Sequence, residues 1–445
     1  MTMVLLVAVI AAIIFITAVW KIHPLPVLLL GGFCFGLCHH TGFQNTLELI
    51  ATGFGNTIKN IGLVIIAGTI IGVFMEKRGA LMVIARKIIA LTGEKRTPLA
   101  MAMIGYVVSI CIFCDSAFII LVGLWKKISR ITRIPAAVGA TALSMGLFAS
   151  HCFIPPTPGP LAAMVILGAD FGRVLLYGSA AALAAAAAGY FYSLCAGKNE
   201  ILEADAPATD DDPGGIPFRL HWSVAFLPIA VPLLLIEGNS LAGIFKAALP
   251  PAVTSFLACA GHPVTALTVG AFIAVFLLGK CRQDELSAGG LMGKAVLDAA
   301  NILVITAAGG AFGEVLKQVD FAAFIPAGAA RPGIPALLFP LIFAAVLKMA
   351  QGSSTLAILT AASVTAPLLE PLGMTSPSMR ALACCAVCCG GMIVSHTNDS
   401  FFWIVTRFSG MNVRQGLKLQ TLGTLFSGLA GAVVILLLAI FVRAD

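Results

Sequence analysis

Apolar runs of about 20 residues recur along this chain, and they limit its fold more than any other feature. They lie at about 3–20, 24–42, 57–76, 134–168, 174–196, 222–238, 263–279, 295–316, 378–406 and 419–442. A helix of this length crosses the ~30 Å hydrocarbon core of a bilayer and satisfies its own backbone hydrogen bonds there. Only 11% of the 445 residues are charged, against about 25% in a soluble domain. The sequence therefore predicts an all-α polytopic membrane protein and excludes a water-soluble enzyme.

The charge balance indicates topology and does not indicate a nucleic-acid partner. The chain has 27 Lys and Arg against 20 Asp and Glu, a net charge of +7, and basic residues of membrane proteins collect on the cytoplasmic side. We expect a multi-pass protein of the cytoplasmic (inner) membrane, surrounded by the lipid bilayer. The cysteines at 384–389 lie among apolar and small residues, which favours helix packing over a metal cluster. No cofactor or metal is expected.

Matching motifs in the two halves indicate an internal repeat. Gly72-Val-Phe-Met-Glu76 is similar to Gly310-Ala-Phe-Gly-Glu314 at an offset of 238 residues, and Cys114-Asp115-Ser116 stands opposite Gly352-Ser353-Ser354 at the same offset. Ser150-His151 matches Ser395-His396 at an offset of 245 residues. Three matches in the same order predict a two-unit transporter architecture.

Basic clusters on both sides of residues 97–125 indicate a re-entrant hairpin. Both clusters, at 77–96 and 126–133, should be cytoplasmic, and neither arm of a segment split at Asp115 is long enough to span the bilayer. The alternative is one ordinary spanning helix, which would place one basic cluster outside. With the hairpin, each half has five crossings and the second half runs inverted.

The predicted organisation is two inverted repeats of about five transmembrane helices, each with a re-entrant hairpin and a broken helix. Repeat 1 covers 1–197, with its hairpin at 97–125 and its broken helix at 134–168. An acidic cytoplasmic linker covers 198–221. Repeat 2 covers 222–445, with its hairpin at 335–370 and its broken helix at 378–406.

In the first half, two places break the apolar pattern with groups that are costly in hydrocarbon. Asp115 is predicted to be a protonatable or cation-binding carboxylate at mid-membrane depth, or else a helix cap at the hairpin tip. Ser150-His151 precedes four prolines in six residues, which cannot continue a helix. The break frees backbone groups for ion or anion binding, although an external loop is the alternative.

The second half has two corresponding breaks. Gly352-Ser353-Ser354-Thr355 offers backbone and hydroxyl donors for a carboxylate or sugar hydroxyls, or it is ordinary small-residue packing. Lys348, just upstream, is either a buried cation for an anionic substrate or a side chain that snorkels to the surface. In Ser395-His396-Thr397-Asn398-Asp399, the His and the Asp can share a helical face, which favours function over a purely structural histidine.

These motifs resemble those of the gluconate permease family of the ion transporter superfamily. The resemblance runs from about Gly55 to the C-terminus, and the Pro155–Pro160 block and the Ser395–Asp399 block carry most of it. It implies proton symport of gluconate or related small acids, the inverted-repeat two-hairpin fold, and a homodimer with an elevator-like stroke. Gln351 and Ser354 differ from the residues of the gluconate carriers, and Asp115 replaces the Glu of some relatives, so the resemblance leaves the substrate open.

The sequence therefore predicts a secondary active transporter, not an enzyme, that imports gluconate or a related small hydroxy-carboxylate with protons. The predicted substrate-binding residues are Ser150, Pro155, Pro156, Thr157, Gly159, Gly352, Ser353, Ser354, Thr355, Ser395 and Asn398. The candidates for proton coupling are Asp115, His151, His396 and Asp399, because burial in the membrane raises a carboxylate pKa.

Three alternatives remain at this point. A sodium-coupled carboxylate carrier of similar fold would use the same broken helices, whose carbonyls can coordinate Na⁺. An intramembrane metalloenzyme could use His151, His396 and Asp399, but the chain lacks a paired-ligand helix motif such as HExxH. A passive channel fits the repeats and twin hairpins less well than alternating access does.

Overall fold

The computed structural model describes residues 2–93, 96–202, 220–244, 250–318 and 334–442, and all regular structure in these ranges is helical. The first-half helices are α1 (Thr2–Ala18), α2 (Pro24–Cys38), α3 (Phe43–Lys77), α4 (Ala80–Thr92), α5 (Thr97–Val108), α6 (Cys114–Thr132), α7 (Ala136–Phe153), α8 (Pro158–Ile166) and α9 (Phe171–Gly197). The second-half helices are α10 (Trp222–Ile244), α11 (Pro251–Ala260), α12 (Pro263–Phe276), α13 (Leu291–Leu316), α14 (Ile334–Gln351), α15 (Ser354–Thr365), α16 (Pro377–Met392), α17 (Ser400–Ser409), α18 (Val413–Gly416) and α19 (Leu422–Phe441). Most of the predicted acidic linker, 198–221, lies outside the described residues.

The molecule has the surface of a protein surrounded by lipid. Large apolar side chains face outward along the helices: Val4, Leu63, Leu183 and Phe441 are 62–80% exposed. By length and composition, six helical stretches among the described residues can cross a membrane, and a seventh is possible if α11 and α12, bent by 64°, form one span. Fewer stretches pass this test than the ten predicted runs, because Pro, Gly and polar residues divide several runs into shorter helices.

Four helices begin inside the protein, each directly after a short non-helical segment that we call a break. α6 begins after residues 109–113, α8 after 154–157, α15 after 352–353 and α17 after 393–399. The first break corrects a prediction, since Cys114–Ser116 is not the tip of the turn but the first turn of α6. α6 also continues to Thr132, beyond the predicted hairpin end at 125, because no Pro or Gly cluster interrupts it.

The helices of the two halves pack in corresponding pairs. α5 packs against α7 in the first half, as α14 packs against α16 in the second. Between the halves, α6 packs against α17 and α8 packs against α15, while α3–α13, α7–α16 and α9–α19 pair equivalent helices with each other. The breaks before α6, α8, α15 and α17 are thereby brought to the centre of the molecule.

Glycines allow the closest of these approaches. A Cβ atom on Gly146 in α7 would lie 2.1 Å from the carbonyl oxygen of Ala102 in α5. At the equivalent contact, a Cβ atom on Gly390 in α16 would lie 2.2 Å from the carbonyl oxygen of Leu341 in α14. Both helix pairs therefore pack with their backbones in contact, which is typical of helices that associate in lipid.

Candidate functional site

The N-terminal ends of four helices surround one open cavity at the centre of the protein. The cavity has a volume of about 780 Å³ including its mouth. Its lining contains first-turn or capping residues of every one of these helices: Phe113, Cys114 and Asp115 of α6, Pro158 of α8, Ser353, Ser354 and Thr355 of α15, and Asp399, Ser400 and Phe401 of α17. Helix N-termini carry free N–H groups and the positive end of the helix dipole. The arrangement therefore favours an anion in this cavity.

The breaks contact one another directly. A Cβ atom on Gly159, at the start of α8, would lie 3.0 Å from Ile358 of α15. Gly352 adopts a positive φ of 78°, and a Cβ atom there would lie 2.2 Å from the carbonyl oxygen of Asn398. Only glycine fits such a position, because it combines left-handed backbone with a close backbone neighbour. The hairpin break at 352–353 is thus packed against the break before α17.

A fully buried ion pair joins two of the breaks. The Lys348 ammonium donates to Asp399 Oδ2 at 2.6 Å and to the Gly352 carbonyl oxygen at 2.7 Å. Ser395 Oγ donates to the same Asp399 oxygen at 2.5 Å, and Asp399 Oδ1 caps α17 by accepting from the Phe401 N–H at 3.1 Å. The side chains of Lys348 and Asp399 are 0% and 5% exposed. Lys348 is therefore a buried cation and does not snorkel to the surface, so the second of its two sequence interpretations is excluded.

Two polar atoms at the cavity have no hydrogen-bond partner among the described residues. These are Ser354 Oγ, which lies beside the Cys152 thiol, and His151 Nδ1. Both residues line the cavity, and both are about nine-tenths buried. A buried polar atom without a partner costs about 1–3 kcal/mol, and a polar ligand in the cavity could remove that cost.

Six of the predicted site residues line this cavity: Asp115, His151, Ser353, Ser354, Thr355 and Asp399. Pro156 and Thr157 line a second cavity that shares His151, Phe113, Pro158 and Ile302 with the first. The sequence motifs thus converge on a common region, even though their members are up to about 280 residues apart in the chain.

The other predicted residues have positions that indicate structural contacts. Ser150 Oγ donates to the Tyr106 carbonyl oxygen, and Ser395 orients Asp399. Asn398 Nδ2 donates to the Met349 carbonyl oxygen at 2.8 Å, and His396 Nε2 lies 3.0 Å from the same oxygen. Asn398 and His396 therefore bind the C-terminal end of α14 instead of facing the cavity. Pro155 and Gly352 lie in the breaks before α8 and α15, and Gly159 lies in the first turn of α8.

Several lining residues were missed by the sequence analysis. Phe113 and Phe148 form apolar walls, and Asn301 and Ile302 of α13 close another side. Asn301 and Asp298 are polar residues inside the apolar run 295–316, which was the available signal. The aromatic residues gave no signal, because a Phe in an apolar run is ordinary core.

Two further cavities, which share lining residues with one another, lie beside the central cavity and reach a basic surface of the protein. The second cavity extends past Gly68, Gly72 and Glu76 of α3 to Lys294 and Asp298 of α13. A third shares Glu76 and Lys294 with it and reaches Lys77, Gly79 and Met82. His151 lies at the junction of the second cavity and the central one.

Comparison with known proteins agrees with this architecture. The sequence profile of the GntP family permeases matches residues 1–441. The chain is 30% identical to a gluconate permease of Pseudomonas aeruginosa, over 98% of this chain and 96% of that protein. It is 29% identical to an inner membrane permease of Escherichia coli over 93% of each chain. It is also 28% identical to the L-idonate transporter of the same species, over 98% of this chain and 99% of that one.

Solved structures show the same fold at lower sequence similarity. The YdaH transporter of Alcanivorax borkumensis superposes with a TM-score of 0.63 over 90% of each chain, at 16% identity. MtrF of Neisseria gonorrhoeae superposes with a TM-score of 0.62, at 15% identity, over 90% of this chain and 85% of that one. The match of the family profile over residues 1–441 confirms the predicted family: the chain belongs to the GntP family of permeases and is a multi-span membrane transporter, not an enzyme.

Proposed function

We propose that this permease imports gluconate or a related small hydroxy-carboxylate together with protons across the cytoplasmic membrane. The observation that carries the proposal is the meeting of four helix N-termini around one cavity. Such ends stabilise a carboxylate without requiring a charged side chain to face it. The similarity to gluconate and L-idonate carriers supports a sugar acid as the substrate.

The cavity offers suitable partners for the rest of such a molecule. Ser354 Oγ, beside the Cys152 thiol, has no oxygen or nitrogen partner among the described residues and can bind a substrate oxygen. Ser353 Oγ accepts the Leu356 N–H at 3.3 Å, so its own hydrogen can still donate. Asn301 and Thr355 add polar groups at the rim, and Phe113 provides an apolar surface. A polyhydroxylated acid needs this mixture of donors and acceptors.

Among the four proton-coupling candidates, Asp115 and His151 are favoured. Both line the cavity, and His151 also lines the cavity that leads to Glu76. Asp399 is already committed to Lys348, Ser395 and the start of α17. His396 lies on the C-terminal end of α14. Among the described residues, Asp115 accepts only a 3.6 Å contact from the Cys114 thiol, so its carboxylate can change protonation without breaking a strong pair.

The corresponding packing pairs support the inverted-repeat organisation as part of the proposal. If each helix is replaced by its equivalent in the other half, the α6–α17 contact becomes the α15–α8 contact. In the same way, the α5–α7 contact becomes the α14–α16 contact. The hairpins are then α5–α6 and α14–α15. The third of these cavities lies beside Lys77, in a basic cluster expected to be cytoplasmic, so we assign this conformation to an inward-facing state. A homodimer remains a prediction, and cross-linking in native membranes tests it.

Uptake into proteoliposomes tests the substrate and the coupling ion. Purified protein is reconstituted, and accumulation of radiolabelled gluconate is measured with an inward proton gradient in Na⁺-free medium. The same uptake is then measured with an inward Na⁺ gradient at equal pH on both sides. We expect accumulation above equilibrium only with the proton gradient. Accumulation driven by Na⁺ alone would contradict proton coupling, and no binding of any sugar acid would contradict the substrate class.

Two variants locate the function in the cavity. Asp115→Asn should abolish gradient-driven accumulation while retaining exchange of labelled for unlabelled substrate, since exchange needs no net proton movement. Asp284→Asn, on an exposed turn where Asp284 pairs with Arg282, is the matched control and should transport normally. Retained proton-driven accumulation in Asp115→Asn would refute the role of Asp115.

A further inference from the structure

We propose that the Lys348 ammonium is a built-in cation that occupies a site made for a metal cation, so that this permease needs no sodium ion there. The inference concerns the coupling ion, and it rests on the proposed function only for the identity of that ion. It makes a direct prediction about ion binding, which can be measured without any transported substrate.

The surroundings of the ammonium are those of a small cation site. Its nitrogen lies 2.7 Å from the Gly352 carbonyl oxygen and 2.6 Å from Asp399 Oδ2. A third oxygen, Ser395 Oγ, is bonded to the same carboxylate atom. Carbonyl, carboxylate and hydroxyl oxygens are the ligands of hard cations, and carbonyls of interrupted membrane helices coordinate Na⁺ in other transporter folds.

The backbone around the site also favours a positive charge. Gly352 directly follows the C-terminal end of α14, where the helix dipole is negative. Its carbonyl is directed at the ammonium because the positive φ of Gly352 turns the chain out of the helix. The Phe148 ring, whose centroid is 5.6 Å from the Lys348 nitrogen, adds a negative π face. Backbone, carboxylate and ring thus all stabilise one cation at the same point.

The position of Lys348 argues against direct substrate binding. The residue is fully buried and is not among the residues that line the central cavity, whereas its partner Asp399 is. The carboxylate therefore borders the cavity, and the ammonium does not. A substrate anion would meet Asp399 and the N-terminal ends of α15 and α17 before it met Lys348. The ammonium neutralises Asp399 and joins the break after α14 to the break before α17.

A metal cation could not share this site with the ammonium. The same oxygens would have to serve both, and two positive charges within a few ångströms repel each other strongly in a buried environment. Among the described residues, Asp115, His151 and Cys152 also interact electrostatically with the ammonium, and Cys114 interacts with Asp399. None of them is within hydrogen-bond distance of the ammonium among the described contacts, so its attachment rests on Asp399 and Gly352.

Removal of the Lys348 ammonium should create a sodium site. Lys348→Ala empties the position of the ammonium but keeps the Gly352 carbonyl, Asp399 and Ser395. The purified variant is heated in detergent at constant ionic strength in choline chloride, KCl or NaCl. We expect its melting temperature to rise by about 3 °C or more at Na⁺ concentrations 100-fold above the dissociation constant, with little effect of choline. The unmodified protein should melt at the same temperature in all three salts.

Two further variants separate Na⁺ binding at this site from general effects of salt on the melting temperature. Lys348→Ala combined with Asp399→Asn removes the carboxylate and should lose the Na⁺ response. Lys317→Ala removes an exposed lysine that pairs with Glu314 at 2.8 Å and should behave as the unmodified protein does. Equal Na⁺ responses in Lys348→Ala and in the double variant would overturn the proposal, as would the absence of any response in Lys348→Ala.

Binding of ²²Na⁺ to the unmodified protein keeps the test decisive if Lys348→Ala cannot be purified. We expect no saturable binding, and stoichiometric binding would overturn the proposal. Neither measurement depends on gluconate. A protein that binds no Na⁺ but transports another acid would contradict the proposed substrate and leave the assignment of Lys348 intact.

Discussion

The buried pair of Lys348 and Asp399 makes a quantitative prediction about stability. Loss of one partner of a buried ion pair leaves an uncompensated charge and costs about 3–5 kcal/mol. Lys348→Met keeps the length of the side chain, so little cavity cost is added. Asp399 keeps its bonds to Ser395 and to the Phe401 N–H, so we expect the lower end of this range, about 3 kcal/mol.

The reverse change isolates the charge of the aspartate. Asp399→Asn retains the helix cap, because Asn caps a helix about as well as Asp does. The new side-chain amide carries no charge, so the buried ammonium keeps the Gly352 carbonyl but loses its anionic partner. We again expect a loss of about 3 kcal/mol. The double variant has neither charge of this pair, so its loss should be smaller than the sum of the two by at least about 2 kcal/mol.

Equilibrium unfolding in detergent micelles, followed by tryptophan fluorescence in Na⁺-free choline buffer, measures this cycle. Glu314→Gln, Lys317→Met and their combination form the matched control, since that pair is 25% and 47% exposed and should couple by less than about 1 kcal/mol. Additive losses at Lys348 and Asp399 would refute the reasoning, because they would mean that the two charges do not stabilise each other.

Three further predictions test the packing, a surface ion pair and the cavity. Gly390→Ala should lower the melting temperature, because a Cβ there would lie 2.2 Å from a carbonyl oxygen of the neighbouring helix, whereas Gly123→Ala, in open space, should not. Glu200 lies outside the membrane and accepts hydrogen bonds from Lys418 and Gln415. These bonds, the one from Lys418 first, hold the pKa of Glu200 below its usual value of 4.5. Glu200→Gln should therefore be less stable than the unmodified protein at pH 7, by under about 1 kcal/mol, and thermal shifts should show this difference disappearing as the pH falls through the lowered pKa. Ser354→Ala should raise the KM for the transported acid about tenfold, as expected for one lost hydrogen bond of about 1.4 kcal/mol, and an unchanged KM in proteoliposome uptake would contradict contact with the substrate.

Sequence reasoning located most of the breaks, because their causes are local. The prolines after His151 and the positive-φ glycine at 352 interrupt helices whatever surrounds them. The break near Asp115 was placed a few residues late, since the chain between Val108 and Cys114 contains no Pro or Gly to mark it. There the helix ends depend on packing against neighbouring helices.

The roles of the individual residues in the polar motif 395–399 could not be told apart from the sequence. His396, Asn398 and Asp399 are equally plausible site residues in a linear pattern. In the structure, Asn398 and His396 bind the end of α14, while Asp399 turns to Lys348 and the cavity. These residues differ in role because the segment is a turn and not a helix, closed by the Asp399 N–H that donates to the His396 carbonyl oxygen at 2.8 Å, so helical spacing did not apply.

The sequence by itself determined that the chain is helical and lies in a membrane, and it marked where the helices break. Apolar length, proline and glycine act within a few residues, so these features can be identified without a fold. Only the tertiary structure decided that the four helix N-termini face one cavity, and that Lys348 pairs with an aspartate 51 residues away. Such contacts depend on how separate helices pack, and burial then determines whether a charged side chain is a surface group or a fixed internal cation.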